Sequence, residues 1–372
     1  MKVNQTKRKN IIISGGGTGG HVFPAISIAN AIKQIEPESR ILFVGALGKI
    51  EMEKVPAAGY QIVGLPVTGL QRRITTKNIA FLFKLIRSLG ISRKIIRDFN
   101  PDVVVGVGGY ASGPVLYIAN RRRIPTLIQE QNSYAGITNK LLAKKAAKIC
   151  VAYEGMEKYF PPEKILLTGN PVRQDLLEQM GSKTEAARHF NLDMNKKTLL
   201  VIGGSLGART INQSILTHMD PIGQSDIQLL WQTGKYYYDD AKEVVEKSGY
   251  ENIKVLDFIV RMDYAYSLAD VIISRAGAGT ISELCLVGKP VVLVPSPNVA
   301  EDHQTKNAMA LVNRKAALRV EDQKAPGQLV DLVLDLIHDE EKMNTLSEHI
   351  KEMALRDSAQ KIAEEVLKLG VC

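Results

Sequence analysis

A chain that runs from Ile11-Ile12-Ile13 into Gly15-Gly16-Gly17-Thr18-Gly19-Gly20-His21 has few folds open to it. The β-branched run reads as a buried strand, and glycines directly after it allow a tight turn into a helix. The first backbone N–H groups of such a helix lack partners within it, and the helix dipole adds partial positive charge at the same place. A turn of this kind suits a phosphate. Two more follow strands downstream, Gly108-Gly109-Tyr110-Ala111-Ser112-Gly113-Pro114 and Gly203-Gly204-Ser205-Leu206-Gly207-Ala208-Arg209. A fourth small-residue turn, Ser274-Arg275-Ala276-Gly277-Ala278-Gly279-Thr280, leads into a helix carrying Glu283.

Short Val/Ile/Leu runs alternate with helical stretches along the whole chain, which predicts an α/β fold with parallel sheets covered by helices. Strands are expected near 11–14, 40–44, 61–65, 102–107, 125–129, 148–152 and 165–168, then near 198–202, 228–232, 254–258, 271–274, 290–294 and 317–320. Gly169-Asn170-Pro171 between the two series reads as a linker. The expected division is one Rossmann-like domain over 1–170 and another over 171–354, with a last helix over 355–372 packing back on the first. A chain of 372 residues is long enough for two such cores. In this architecture the glycine loops sit at the carboxyl ends of strands and face a central cleft.

The net charge of +9 is unevenly spread. Residues 1–170 carry 25 Lys and Arg against 10 Asp and Glu, a balance of +15, whereas the remainder carries 23 against 29, a balance of −6. The basic half is expected to meet something anionic, whether nucleic acid, a membrane surface or a phosphorylated substrate. Nucleic acid is not expected, because no binding motif for it is present and aromatic content is only 6%, which leaves few stacking platforms. No apolar run reaches the roughly 18–20 residues that span a bilayer, and residues 1–10 lack the apolar stretch of a signal peptide. Cys150, Cys285 and Cys372 stand far apart without Cys-x-x-Cys spacing, so neither a disulfide framework nor a metal site is expected, and a reducing cytoplasm is the natural compartment.

The first loop satisfies G-x-G-x-x-G through Gly15, Gly17 and Gly20, but the second strand ends Val44-Gly45-Ala46 with no acid for a cofactor ribose, which argues against NAD. Glu283 has two readings, an acceptor for ribose hydroxyls or an acid that complements its helix dipole. Glu301-Asp302-His303-Gln304 opens a further helix and suits either sugar hydroxyls or simple capping.

Six motifs then occur in a specific order: Gly-Gly-Thr-Gly-Gly-His, Gly-Gly-Tyr-x-Ser-Gly-Pro, Glu-Gln-Asn-x-x-Ala-Gly-x-Thr-Asn-Lys, Gly-Asn-Pro-Val-Arg, Gly-Gly-Ser-x-Gly-Ala-Arg and Gly-Ala-x-Thr-x-Ser-Glu. In these the chain resembles the MurG family, the N-acetylglucosaminyltransferases of peptidoglycan synthesis, from about residue 11 to 307. The resemblance implies the two-domain GT-B fold and transfer of GlcNAc from UDP-GlcNAc to the 4-hydroxyl of the muramyl sugar in lipid I. The product is lipid II, with inversion at the anomeric carbon. It also implies roles in cell-wall biogenesis, cell shape and division, contact with other cell-wall synthesis proteins, and peripheral attachment to the anionic cytoplasmic face of a bacterial inner membrane. A UDP-GlcNAc 2-epimerase is the alternative; it would share the donor site but have no use for the acceptor-side loops.

By resemblance, Gly16, Gly17, Gly20, Gly108, Gly109, Tyr110 and Ser112 would face acceptor phosphates. The donor would meet Thr18, Gly19, Asn132, Arg173, Ser205, Ile259, Ala278, Thr280, Glu283, His303 and Gln304. Within that set Glu283 would hold the ribose, Arg173 and Ser205 the phosphates, Ala278 and Thr280 the turn between uracil and sugar, and His303 and Gln304 the GlcNAc hydroxyls. His21 is the first choice of base, kept neutral by the helix dipole, with Glu130 in reserve. Many relatives carry histidine where this chain has Gln129, and glutamine where it has His303. The chain contains no Asp-x-Asp, so no obligatory metal is expected, although free Mg²⁺ could assist; a helix N-terminus and Arg173 would stabilise the departing UDP. Ile79, Phe81, Leu82, Phe83, Leu85 and Ile86, interleaved with Lys84 and Arg87 and backed by Arg93, Lys94 and Arg121-Arg122-Arg123, read as a membrane patch. A core-facing helix with a solvated basic face is the other reading of that segment.

Overall fold

Isoleucine and valine runs without polar alternation need cover on both faces, and both sheets of this chain have it. In a computed structural model, residues 8–69, 76–172, 180–204 and 206–370 are described, with 76–80 and 300 described by backbone alone. Two units separate, Met1–Val172 with Asp357–Cys372, and Arg173–Arg356. These divisions lie two residues beyond the expected 170 and 354.

The first unit holds β1 (Asn10–Ser14), β2 (Arg40–Ala46), β3 (Gln61–Leu65), β4 (Val103–Gly106), β5 (Thr126–Glu130), β6 (Lys148–Val151) and β7 (Ile165–Leu167), all parallel, in the order β3-β2-β1-β4-β5-β6-β7. Successive side chains of β1 part to opposite faces. Ile11 and Ile13 pack with Ile28 and Ile32 of α1 (Gly19–Ile35) and with Ile362 and Val366 of the helix Ser358–Leu369. Ile12 packs on the other face with Ile96 of α3 (Thr76–Phe99) and Leu116 of α4 (Ser112–Arg121). Two short helices, α2 (Glu51–Ala57) and α5 (Ile137–Ala143), follow β2 and β5.

The second unit repeats the plan with β8 (Thr198–Ile202), β9 (Gln228–Gln232), β10 (Ile253–Leu256), β11 (Val271–Ser274), β12 (Val291–Leu293) and β13 (Leu318–Arg319), in the order β10-β9-β8-β11-β12-β13. Every expected strand is present, with ends within two residues of the expected ones. Trp231 in β9 is fully buried, and its indole N–H donates to Asn212 Oδ1 at 3.1 Å. Cys150 and Cys285 are buried free thiols, and burial pushes both up to about 12, so they stay protonated. Among the described residues no helix is long and apolar enough to cross a membrane.

Strand order reverses between β1 and β4 and again between β8 and β11, and such reversals open a crevice at the carboxyl ends of the strands. The loops leaving these strands are where the glycines are needed. A Cβ on Gly109 would lie 2.3 Å from Gly16 O, and one on Gly207 would lie 2.1 Å from Thr233 O. Gly207 also has φ of 80°, as does Gly234 beside it. Gly207→Ala should therefore cost stability through both strain and collision, about 3 kcal/mol or more. Gly249→Ala, at φ 73° with nothing within 4 Å of its added Cβ, should cost only about 1–2 kcal/mol. Urea unfolding of the two variants tests the difference.

Candidate active site

In the first unit, the loop after β1 and the loop after β4 touch backbone to backbone. His21 lies in the first turn of α1, whose N-cap is Thr18, and its Nδ1 is 3.1 Å from Thr18 Oγ1. Its Nε2 faces the second loop: a Cβ on Gly108 would sit 2.7 Å from that nitrogen. The imidazole thus lies between the two loops expected to meet acceptor phosphate. Tyr110 is exposed on the second loop. Ser112 differs from expectation, because it is fully buried and its hydroxyl donates to Gly109 O at 2.9 Å, fixing the turn rather than presenting a donor.

The first loop is held from behind by a residue the sequence did not single out. Glu51, at the start of α2 and 1% exposed, accepts from Gly17 N at 2.9 Å and from Ala46 N at 2.9 Å. Gly17 N–H is therefore directed to this carboxylate. Neither Gly16 nor Gly45 has room for a side chain: a Cβ would lie 2.2 Å from Glu51 Oε1 in the first case and 2.5 Å from Glu51 Cγ in the second. An acid opening a helix ordinarily reads as a dipole complement, which is why the signal was weak.

Glu130, the reserve base, is buried at the end of β5. Its carboxylate accepts from Gly136 N at 3.0 Å, Asn139 Nδ2 at 2.8 Å and Asn132 N at 3.2 Å. Asn132 therefore belongs to the turn that Glu130 organises. This geometry gives the Glu130 carboxylate a part in shaping the turn after β5, while the His21 ring stands between the two glycine loops. Behind it, Gln129 Nε2 donates to Asn170 Oδ1 at 3.1 Å, Asn170 Nδ2 to Gln131 O at 3.0 Å, and Gln131 Nε2 to Val107 O at 2.8 Å. Buried amides thus tie β5, the loop after β4 and the end of the first unit together.

In the second unit a cavity of about 820 Å³ opens at the carboxyl ends of the strands. Gly203, Gly204 and Gly207 line one side, Gly277, Thr280 and Glu283 another, and Ile259 and Gln304, both expected at the donor, line it too. Glu283 accepts from the Tyr266 hydroxyl at 3.4 Å; burial, reinforced by the Glu283 charge, holds that phenol well above its usual range. Gln304 Oε1 accepts from Ser296 N at 2.8 Å. Ala278 is the first residue of the helix Ala278–Val287, whose N-terminus is at the cavity. His303 opens the helix His303–Val312 but is not among the described lining residues. Thr18, Gly19 and Asn132, grouped with the donor set, lie in the first unit. Arg173, Ser205 and the Ile79 side chain lie outside the described residues.

Several cavity residues carry no individual role in the sequence reading, although Arg209 and Arg275 lie within its loops. Arg275 is ion-paired with Asp322 and donates to Val294 O at 3.0 Å, while Asp322 also accepts from Thr210 Oγ1 at 2.9 Å. Gln232 Oε1 accepts from Ile259 N at 3.0 Å and so orients that backbone. Arg209 and Phe258 also line the cavity. Position was the available signal: all five follow or end parallel strands or open a helix beside them. Among the described residues no cluster of His, Cys, Asp and Glu could hold a metal ion.

Burial raises the Glu130 carboxyl above the ordinary 4.5, against the lowering effect of its donors. The folded chain therefore binds that proton more tightly than the unfolded chain. The associated stabilisation is complete below the ordinary value and is lost as pH rises through the folded one. Glu130→Gln should flatten this part of a melting-temperature profile across about pH 4–8. It should lower turnover less than ten-fold, whereas loss of a general base costs about 10²–10⁴-fold.

The glycosyltransferase family 28 N-terminal domain matches residues 11–151, and the family 28 C-terminal domain matches residues 198–362. The UDP-N-acetylglucosamine--N-acetylmuramyl-(pentapeptide) pyrophosphoryl-undecaprenol N-acetylglucosamine transferase of Parabacteroides distasonis is 60% identical over 98% of this chain and 99% of its own length. The protein of the same name from Bacteroides fragilis is 58% identical over 99% of this chain and 98% of its own. The crystal structure of Acinetobacter baumannii MurG superposes with a TM-score of 0.79 at 25% identity, covering 97% of this chain and 99% of that one. A UDP-GlcNAc 2-epimerase from Neisseria meningitidis reaches a TM-score of 0.66 at 16% identity, covering 97% of this chain and 100% of that one, a likeness of fold alone. With both domains matched and near-full-length relatives at such identity, this chain, built as the two Rossmann-like domains of a GT-B enzyme, belongs to glycosyltransferase family 28 and, within it, to the MurG family.

Proposed function

We propose that this chain is an inverting N-acetylglucosaminyltransferase that moves GlcNAc from UDP-GlcNAc to the 4-hydroxyl of the muramyl sugar of lipid I, making lipid II for peptidoglycan. The observation that carries the reading is the identity of 58–60% over nearly the whole chain to transferases of that name. Two loop pairs at strand-order reversals support it, one for a diphosphate-linked acceptor and one for a nucleotide diphosphate donor.

The donor is assigned to the cavity of the second unit. Glu283 accepts from the ribose hydroxyls, and the Gly203–Gly207 loop with the N-terminus of the helix Ala278–Val287 receives the diphosphate. Gln304 serves the GlcNAc hydroxyls. In the reaction the acceptor O4 attacks the anomeric carbon as the bond to the UDP oxygen breaks, and the O4 proton passes to His21 Nε2. That role requires the tautomer in which Nδ1–H donates to Thr18 Oγ1, the neighbour 3.1 Å away. The charge that develops on UDP is met by backbone N–H groups and Arg173, without an obligatory metal.

The reading extends to location. Leu82, Phe83 and Ile86 are exposed on α3, with Lys84 and Arg87 among them, an arrangement suited to anionic lipid. Attachment to the cytoplasmic face of the inner membrane, a part in cell shape and division, and contacts with other cell-wall synthesis proteins follow from the same proposal.

A transfer assay with labelled UDP-GlcNAc and a short-chain lipid I analogue tests it, with coupled appearance of disaccharide-lipid and UDP as the expected result. Consumption of UDP-GlcNAc without disaccharide would overturn the acceptor assignment. In the same assay His21→Ala should lower kcat by about 10²–10⁴-fold, with UDP-GlcNAc affinity within about two-fold of the parent. Near-normal turnover would remove His21 as base. Exhaustive EDTA treatment should leave most of the activity in place; complete loss, restored by a stoichiometric bound metal, would refute metal independence.

A further inference from the structure

The apolar stretch of α3 is two surfaces, not one. Leu82, Phe83 and Ile86 stand 54%, 70% and 59% exposed. Phe81, Leu85 and Leu89, at i, i+4 and i+8, are half-buried and form one wall of a separate cavity of about 530 Å³ within the first unit. Tyr110, Pro114 and Tyr117 form a second wall, and Leu141 of α5, 79% exposed, stands at its edge. Apart from Thr68, Thr138 and the tyrosine hydroxyls, the lining side chains offer no hydrogen bonds, so the groove suits a hydrocarbon.

We propose that this groove seats the first isoprenoid units of the diphosphate-linked acceptor, while the outward row of α3 meets the bilayer. The inference rests on the acceptor reading above. Two observations carry it further. Tyr110 and Gly113 belong both to the loop expected at the acceptor phosphates and to the groove, so the two sites are continuous. A polyprenyl diphosphate requires that continuity, because its first isoprenoid carbon is bonded directly to a phosphate oxygen. Cations also stand beside the walls: Arg121 donates to the Tyr117 hydroxyl at 3.3 Å, and Lys140 lies 4.0 Å from the Tyr134 ring centroid, next in sequence to Leu141. An apolar channel with positive charge at its side matches an anionic head and a neutral tail.

The test is isothermal titration of the full chain with prenyl diphosphates of two, three and four isoprene units, without sugar and below their micelle concentrations. Affinity should rise at least ten-fold from two units to four. Leu89→Trp, which fills the groove, and Leu141→Asp, an exposed site where folding is not at stake, should flatten that rise while leaving the two-unit affinity within about two-fold. Phe83→Asp should keep the rise and instead lose binding to vesicles containing anionic lipid. A flat chain-length dependence in the parent would overturn the proposal. So would an unaltered dependence in Leu141→Asp accompanied by the vesicle-binding loss of Phe83→Asp, since the groove would then take bilayer acyl chains. If the dependence is found but no disaccharide forms in the transfer assay, the groove stands and the transferase reading falls.

Discussion

The structure depends on backbone meeting backbone where loops leave neighbouring strands, β1 and β4 in the first unit and β8 and β9 in the second. Adjacent parallel strands lie about 4.8 Å apart, and the loops that leave β1 and β4, or β8 and β9, must share the space above them. Gly16 against Gly109, and Gly207 against Gly234 and the Thr233 carbonyl, resolve the crowding by keeping side chains out of the contact. The result is a concave floor of peptide groups, with helix N-termini beside it. Neither unit could offer such a surface with alanine at these positions, so the glycines are conditions of the site before they are contacts in it.

Polar groups hold each floor in place, Glu51 and Glu130 buried behind it and Arg275 and Asp322 at the cavity itself. Glu51 grips the first loop by its backbone, Glu130 closes the turn after β5, and the Arg275–Asp322 pair joins the end of β11 to the stretch after β13. Each of these groups finds partners within its own unit, as buried charge requires. Their effect is to set the direction of neighbouring groups, which makes them positioning elements even where their residue type resembles that of a catalyst.

The sheets were legible because fully buried parallel strands are written as short apolar runs, and the glycine loops because turns at their ends tolerate little else. The roles of single polar residues were less legible. Glu130 was recognisable as important, but its three donors lie up to nine residues away and only the folded turn brings them to it. Arg275 and Asp322 are separated by 47 positions, and no local pattern links them. On α3, residues one position apart fall on different surfaces, and composition alone cannot separate the row that faces α4 from the row that faces outward. Glu301 and Asp302 hold left-handed backbone, with φ of 57° and 52°, immediately before the helix His303–Val312. That conformation is unfavourable for either residue, and nothing in the residue types announces it.

Glu51 also bears on how freely this architecture can exchange chemistries. Dinucleotide enzymes place an acid at the end of the second strand to receive a ribose. Here that position is Gly45-Ala46, and the space beside it is already filled by a carboxylate arriving from α2, facing inward to the loop instead of outward to a ligand. Adding an acid at Gly45 would drive it into Glu51, and removing Glu51 would release the loop. Conversion to a nicotinamide enzyme is therefore blocked at two coupled positions, so that no single substitution opens the route.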